Sequence, residues 1–233
     1  MANDEIHTQL PWFSEHDITS RVSISDAIAA IEGALQKGHD PATDPARAVV
    51  DTAHGQLLLM PAESANVLGV KIASVAPNNP NRNLPRIQAA YLMVDSETIT
   101  LLALFEGTAL TPLRTPAVSA VAAKHLTRKD AANLLLFGAG PQARTHVDAV
   151  LVGRSIVAVE DRVSALREGG NIIMAIEEGM LSALSSFSIR DLANHPNRVT
   201  DHSRPSIFKS SGMAWEDLVV AAFPAIPDND YLC

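Results

Sequence analysis

Two groups of residues in this chain have types and spacings that suit chemistry. The first is the turn in "LLLFGAGPQARTHVDAV", residues 134–150, where Gly138, Gly140 and Ala143 fit G-x-G-x-x-A. An apolar run precedes the turn and a helical pattern follows it. Glycines in that setting let backbone N–H groups approach a pyrophosphate at a helix N-terminus. The same small residues also let a helix pack closely on a strand, so cofactor binding and packing both stay open on local grounds. Glu160 and Asp161 stand 22 and 23 residues after Gly138, a spacing that suits an acid bonding ribose hydroxyls.

The second group is basic: Arg47 in "PARAVV", Lys71 in "LGVKIAS" and Arg114 in "TPLRTPA". A charge among apolar or small neighbours faces solvent, pairs with an acid, or meets a ligand. Arg114 lies just before a Thr-Pro helix start, where unpaired N–H groups already favour an anion. Other chemistries find little support. The eight histidines are dispersed, with no H-x-x-x-H or H-E-x-x-H pair, so no metal site is expected. There is no G-x-S-x-G and no G-x-x-x-x-G-K-[ST]. The single cysteine, Cys233, allows no intrachain disulfide and is a poor nucleophile candidate.

The elements that must position these residues follow from periodicity. "SEHDI" offers Ser14 as a helix cap with Asp17 three residues on. "SISDAIAAIEGALQKG" places Ile28, Ile31 and Leu35 on one helical face and ends at Gly38. Five β-like runs come next: "RAVVD", "QLLLMP", "VLGVKIASVAP", "IQAAYLMVD" and "ITLLALFEG". "TPLRTPAVSAVAAKHL" reads as a helix with Thr115 as N-cap and Pro116 at its first position. Residues 133–138, the glycine turn, 141–152 and 155–160 form one β-α-β unit. "SSGMAWEDLVVAAF" is a last helix, with Ser210 or Ser211 near its start. The fold class is therefore α/β: an α+β unit followed by a small doubly wound part with about three βα elements.

Composition bounds the rest. The 233 residues are 47% hydrophobic and 19% charged, a globular balance rather than a disordered one. A formal net charge of −8 argues against a nucleic-acid partner or an anionic membrane surface. "MANDEIHTQLPWF" lacks the basic and apolar regions of a signal peptide, and no apolar run approaches the ~20 residues that span a bilayer. A cytoplasmic protein is expected.

Four blocks together, "GVKIASVAPNNPNRNLP", "FEGTALTPLRTPAVSAVAAKHL", "LLLFGAGPQARTHVDAV" and "IFKSSGMAWEDLVVAA", strongly resemble the ornithine cyclodeaminase/mu-crystallin family and occur in its order. The resemblance implies a bilobed, dimeric enzyme that binds NAD or NADP. A substrate-binding and dimerisation domain would span 1–125, completed by 205–233. A shortened Rossmann-type domain would span 126–204. Arg47, Lys71 and Arg114 match the family's basic residues around the substrate carboxylate, and Met60-Pro61 matches a motif beside them. Thr115, Gly138, Ala139, Gly140, Pro141, Gln142 and Ala143 match positions near the cofactor phosphates, and Ser210 a serine near the nicotinamide. Arg86 sits where several relatives carry threonine. The implied chemistry is hydride exchange at the α-carbon of a small amino or imino acid. L-Ornithine to L-proline with loss of ammonia is the expected activity. Ketimine or pyrroline-carboxylate reduction and alanine dehydrogenation are the enzymatic alternatives, and a non-catalytic binding protein or shortened remnant is an alternative of another class.

The resemblance also implies a gap. "VDAVLVGR" runs directly into "SIVAVEDRVSALREGGNIIMAIEEG", which matches a late family segment. The middle of the Rossmann domain is thus expected to be missing between about Arg154 and Ile156, which makes the spacing of Glu160 and Asp161 accidental. No residue of this chain matches the family's acid for the substrate amine.

Overall fold

The structure, a computed structural model, describes residues 10–64, 66–126, 142, 157–159, 187–195, 198–200, 207–210 and 212–225. Helices α1 (Glu15–Arg21) and α2 (Ile24–Gln36) each open on a serine, Ser14 and Ser23, in a reciprocal capping box with Asp17 and Asp26. α2 ends as its sequence predicts, with Lys37 as C-cap and Gly38 at φ +108°.

The five expected strands are present as β2 (Ala48–Thr52), β3 (Gly55–Glu63), β4 (Val67–Val75), β5 (Ile87–Asp95) and β6 (Leu101–Glu106). They form an antiparallel ladder. A sixth strand, β1 (Trp12–Phe13), was not expected; it runs parallel to β6 and gives the order β1-β6-β5-β4-β3-β2. Two residues are too few to show a period of two. What holds β1 is tertiary: the Phe13 ring stacks on Phe105 with centroids 4.8 Å apart.

α3 (Gly107–Leu126) corrects the sequence reading. Its start is at Gly107, not at Thr115–Pro116, and both Pro112 and Pro116 lie inside it. Glu106 supplies the cap, its Oε2 accepting the Ala109 N–H at 2.6 Å. Each internal proline removes one backbone bond, but α3 packs against both α2 and β5, and this packing outweighs the loss. Arg114 is therefore a mid-helix residue rather than one at a helix N-terminus.

α5 (Ala214–Ala225) closes the same lobe from the far end of the sequence, packing on α2, α3, β3 and β4. Its Trp215 and Leu218 join Ile18, Ile31, Leu35, Tyr91, Phe105 and Leu110 in the core. Helices cover one face of the sheet. Alternation on β4 turns Val67, Gly69, Lys71 and Ala73 toward them, all buried. The opposite face carries Val50, Leu57, Leu59, Val70, Ile72 and Leu92 in register, with Val50 and Ile72 exposed.

A second sheet follows. β7 (Val157–Val159) lies between β8 (Phe187–Ser188) and β9 (Ile207–Lys209), parallel to both, and α4 (Ile189–Asn194) leaves β8 through a Ser188–Asp191 capping box. The whole is an α/β fold, an α+β lobe joined to a short parallel sheet of Rossmann type. Gln142 is helical and exposed. Gly138, Ala139, Gly140, Pro141, Ala143, Glu160, Asp161 and the junction at 154–156 lie outside the described residues.

Candidate functional site

Lys71, Arg114 and Arg47 come from three different elements and meet at the start of α5. On β4, Lys71 pairs in register with Met60 on β3 and Tyr91 on β5, so all three point into the helix-covered face. Its Nζ donates to Asp217 Oδ1 and to Thr111 Oγ1, each at 2.8 Å. Thr111 stands one turn before Arg114 on α3. Arg114 Nη1 donates to Glu216 Oε2 at 2.7 Å, and its Nε lies 3.5 Å from Asp217 Oδ1. Arg47, just before β2, reaches 165 residues along the chain to donate from Nη2 to the Gly212 carbonyl at 2.7 Å.

Gly212 is where the backbone must yield. Its φ is +74°, and a Cβ there would stand 2.8 Å from Arg114 Nη1. Glycine satisfies both demands: the left-handed conformation and the close approach of a guanidinium.

Glu216 and Asp217 are the residues that sequence reasoning overlooked. Both are fully buried. They sit in the first turn of α5, where the helix dipole favours negative charge. The signal was available: two adjacent acids in the otherwise apolar "AWEDLVVAAF" need partners if that helix is buried. Three basic side chains and two acidic ones thus meet at the start of α5, Arg47 half-buried and the other four buried. Burial pushes the Lys71 ammonium below its ordinary value of 10.5 even though Asp217 pulls it upward.

The residues expected near a cofactor are placed as follows. Thr115 follows Arg114 on α3 and is buried, and its Oγ1 has no hydrogen-bond partner among the described residues. Ser210 follows β9 directly and stands two residues before Gly212, half-buried. A buried hydroxyl beside a basic cluster suits a phosphate or ribose oxygen, so the residues described fit a dinucleotide. Among the described residues, no helix is long and apolar enough to cross a membrane.

The comparisons with known proteins concern the family and the overall fold. The model of the "Ornithine cyclodeaminase/mu-crystallin family" matches residues 12–165. The chain is 37% identical over 143 residues to a Delta(1)-pyrroline-2-carboxylate reductase of Bacillus cereus, a stretch that is 59% of this chain and 44% of that protein. It is 37% identical over 134 residues to the ketimine reductase mu-crystallin of Rattus norvegicus, covering 54% of this chain and 43% of the relative. The chain thus spans less than half the length of the curated relatives it matches. In fold it is similar to the Thermococcus litoralis Delta(1)-pyrroline-2-carboxylate reductase solved with NADH and L-proline. That match has a TM-score of 0.82 and 23% identity, covering 93% of this chain and 96% of the other.

Proposed function

Given that this chain belongs to the ornithine cyclodeaminase/mu-crystallin family, we propose that it is an NAD(P)-dependent reductase of a small cyclic imino acid of the pyrroline-2-carboxylate type. The observation that carries this reading is the convergence of Arg47, Lys71 and Arg114 on the start of α5. Two guanidinium forks and an ammonium suit a substrate carboxylate.

Each residue has a task in this reading. Arg114 and Arg47 offer planar forks to the carboxylate oxygens, and Glu216 and Gly212 hold those forks in place. Two of the three Lys71 N–H bonds go to Asp217 and Thr111, which leaves one to face a ligand. Thr115, Ser210 and the turn Gly138–Ala143 would hold the dinucleotide, which when bound supplies hydride to the imine carbon. The ring nitrogen takes up one proton per turnover, the C=N double bond becomes C–N, and the product is the cyclic amino acid. The low exposure of Lys71 and Arg114 excludes bulk water from the charged site.

The conversion of L-ornithine to L-proline is the less economical reading. It adds hydride abstraction, ring closure and ammonia loss, and needs an acid at the substrate amine. The relatives named as reductases at 37% identity favour the shorter chemistry. We further propose that the substrate lobe is 1–125 completed by 205–233, with the cofactor lobe at 126–204. The packing of α5 on α2, α3 and β4 supports that division. Two copies would associate through the uncovered aliphatic sheet face, making a homodimer.

The test is oxidation of NADH or NADPH by the purified protein with Δ1-pyrroline-2-carboxylate, against ammonia release from L-ornithine. Imine-dependent oxidation without ammonia release is expected. Steady ammonia and proline formation would restore the cyclodeaminase reading. The run of "VDAVLVGR" straight into a late family segment favours a second reading, a binding protein that has lost catalysis. Amino-acid binding with no nicotinamide binding, followed by fluorescence, would select it.

A further inference from the structure

Buried polar atoms without hydrogen-bond partners among the described residues occur at the basic site and on the side chains beside it. Asp217 Oδ2, Tyr91 OH, Asp44 Oδ2, His39 Nε2 and Trp215 Nε1 each lack a hydrogen-bond partner among the described residues. Such atoms are rare in native proteins, and each calls for a bridging water or a role in moving protons. Trp215 and Asp217 share the first turn of α5, which packs on β4 and β5. Tyr91 is the cross-strand partner of Lys71 on the same sheet face. Its hydroxyl lies against the backbone of Gly69, so close that a Cβ at 69 would stand 2.0 Å from it. His39 stacks on Trp215, with centroids 5.0 Å apart, and its Nε2 lies 3.6 Å from Asp44 Oδ1.

We propose that His39, Asp44, Tyr91 and Asp217, bridged by buried water, form a relay that carries protons from solvent to the ammonium of Lys71. The exposures run in the required order. The His39 side chain is 14% exposed, Asp44 6%, and Asp217 not at all. Complete burial, and after it the negative charges of Asp217 and Asp44, hold the Tyr91 phenol's proton on well above the ordinary value of 10.0. A phenol that keeps its proton can accept one hydrogen bond while donating another, which is what a link in such a chain does. At the inner end, Asp217 Oδ1 binds Lys71, and its Oδ2 has no hydrogen-bond partner among the described residues. Arg47, Arg114 and Glu216 are the other charged groups about this end, and they have their own partners.

The need for a relay rests on the imine-reductase reading. Reduction consumes one proton at nitrogen, and the site where it is consumed is closed. A proton leaving the Lys71 Nζ for the ring nitrogen must be replaced from solvent before the next turnover. The relay supplies it without opening the charged cluster.

The experiment reads proton exchange directly. In protein carrying isotope-labelled lysine, the Lys71 ammonium signal is assigned by its loss in Lys71→Met. Its exchange with solvent is then followed by magnetic resonance. Tyr91→Phe keeps the ring and removes only the hydroxyl, and should slow that exchange by roughly tenfold or more. His39→Gln, at the outer end, should slow it too. An unchanged rate in folded Tyr91→Phe overturns the relay. If that variant fails to fold, an unchanged rate in His39→Gln overturns it instead. In turnover, Tyr91→Phe should lower kcat at constant KM and enlarge the solvent isotope effect, which loss of packing alone would not do. A wild-type protein that reduces no imine refutes the functional reading, while the exchange rates still decide the relay.

Discussion

Replacing Asp217 by asparagine should destabilise the protein far more than the loss of one hydrogen bond. The side chain is isosteric, so packing and shape are retained while the charge goes. In the native protein this carboxylate, fully buried, lies 2.8 Å from Lys71 Nζ and 3.5 Å from Arg114 Nε. Without it Lys71, only 3% exposed, keeps its charge beside a neutral hydroxyl and a neutral amide. Breaking a buried pair from one side costs about 3–5 kcal/mol. For a chain of this length that lowers the melting temperature by about 6–20 °C. The sign of the pH dependence is set by Lys71, whose folded pKa already lies below 10.5. The unfolded lysine binds its proton more tightly, so the penalty is fully present below the folded pKa and fades as pH rises toward the unfolded value. The deficit of Asp217→Asn should therefore shrink in alkaline buffer. Circular dichroism melts of wild type, Lys71→Met, Asp217→Asn and the double variant complete a cycle. The double variant should be more stable than the sum of singles by about 2 kcal/mol. Additivity within about 0.5 kcal/mol would show that the two groups do not depend on each other, and would refute the argument.

Other outcomes follow from the same geometry. Arg114→Ala removes charge-assisted bonds of about 1.5–3 kcal/mol each, so calorimetry should show imino- or amino-acid binding weakened at least about tenfold. Gly212→Ala forces an L side chain to φ +74° and into Arg114; unfolding in urea should show a loss of at least about 1 kcal/mol, along with weaker substrate binding. Glu32 is raised by burial but lowered further by its bonds to Lys124 and His125, and ends below its ordinary 4.5. Its stabilisation is present above that value and lost as pH falls through the folded pKa, so melts of Glu32→Gln should lie below wild type at neutral pH and converge with it in acid. Val50→Lys with Ile72→Lys should give a monomer by light scattering while leaving the core intact, and a persistent dimer would count against the open sheet face as the contact.

The sequence showed the antiparallel lobe well because each of its strands carries several residues of β-type pattern between clear turns. It did not show which way Lys71 faces, since "VLGVKIASV" is apolar in both phases and period two gives no choice of side. Only the pairing of Lys71 with Met60 and Tyr91 settles that. The start of α3 was misread because Pro116 imitates a first-turn proline, whereas the real cap is Glu106, a residue type not usual for the task. Arg47, Lys71 and Arg114 were each legible as unusual charges. Their partners were not, because the Gly212 carbonyl lies 165 residues from Arg47, and the acids Asp217 and Glu216 lie 146 and 102 residues from Lys71 and Arg114, and no local pattern encodes such distances.

Those separations have a consequence for how the protein is born. On the ribosome, β4 and α3 emerge long before α5, and with them two cations whose native partners do not yet exist. The sheet can pair and α2 can dock, but neither Lys71 nor Arg114 can enter the interior until the last helix arrives. Closing so long a loop is slow compared with forming hairpins. The nascent lobe therefore waits with its basic side chains in water, an open form that folding helpers or acidic surfaces can engage. Arrival of Glu216 and Asp217 then triggers a single concerted burial. Assembly of the charged site and completion of the core are one event.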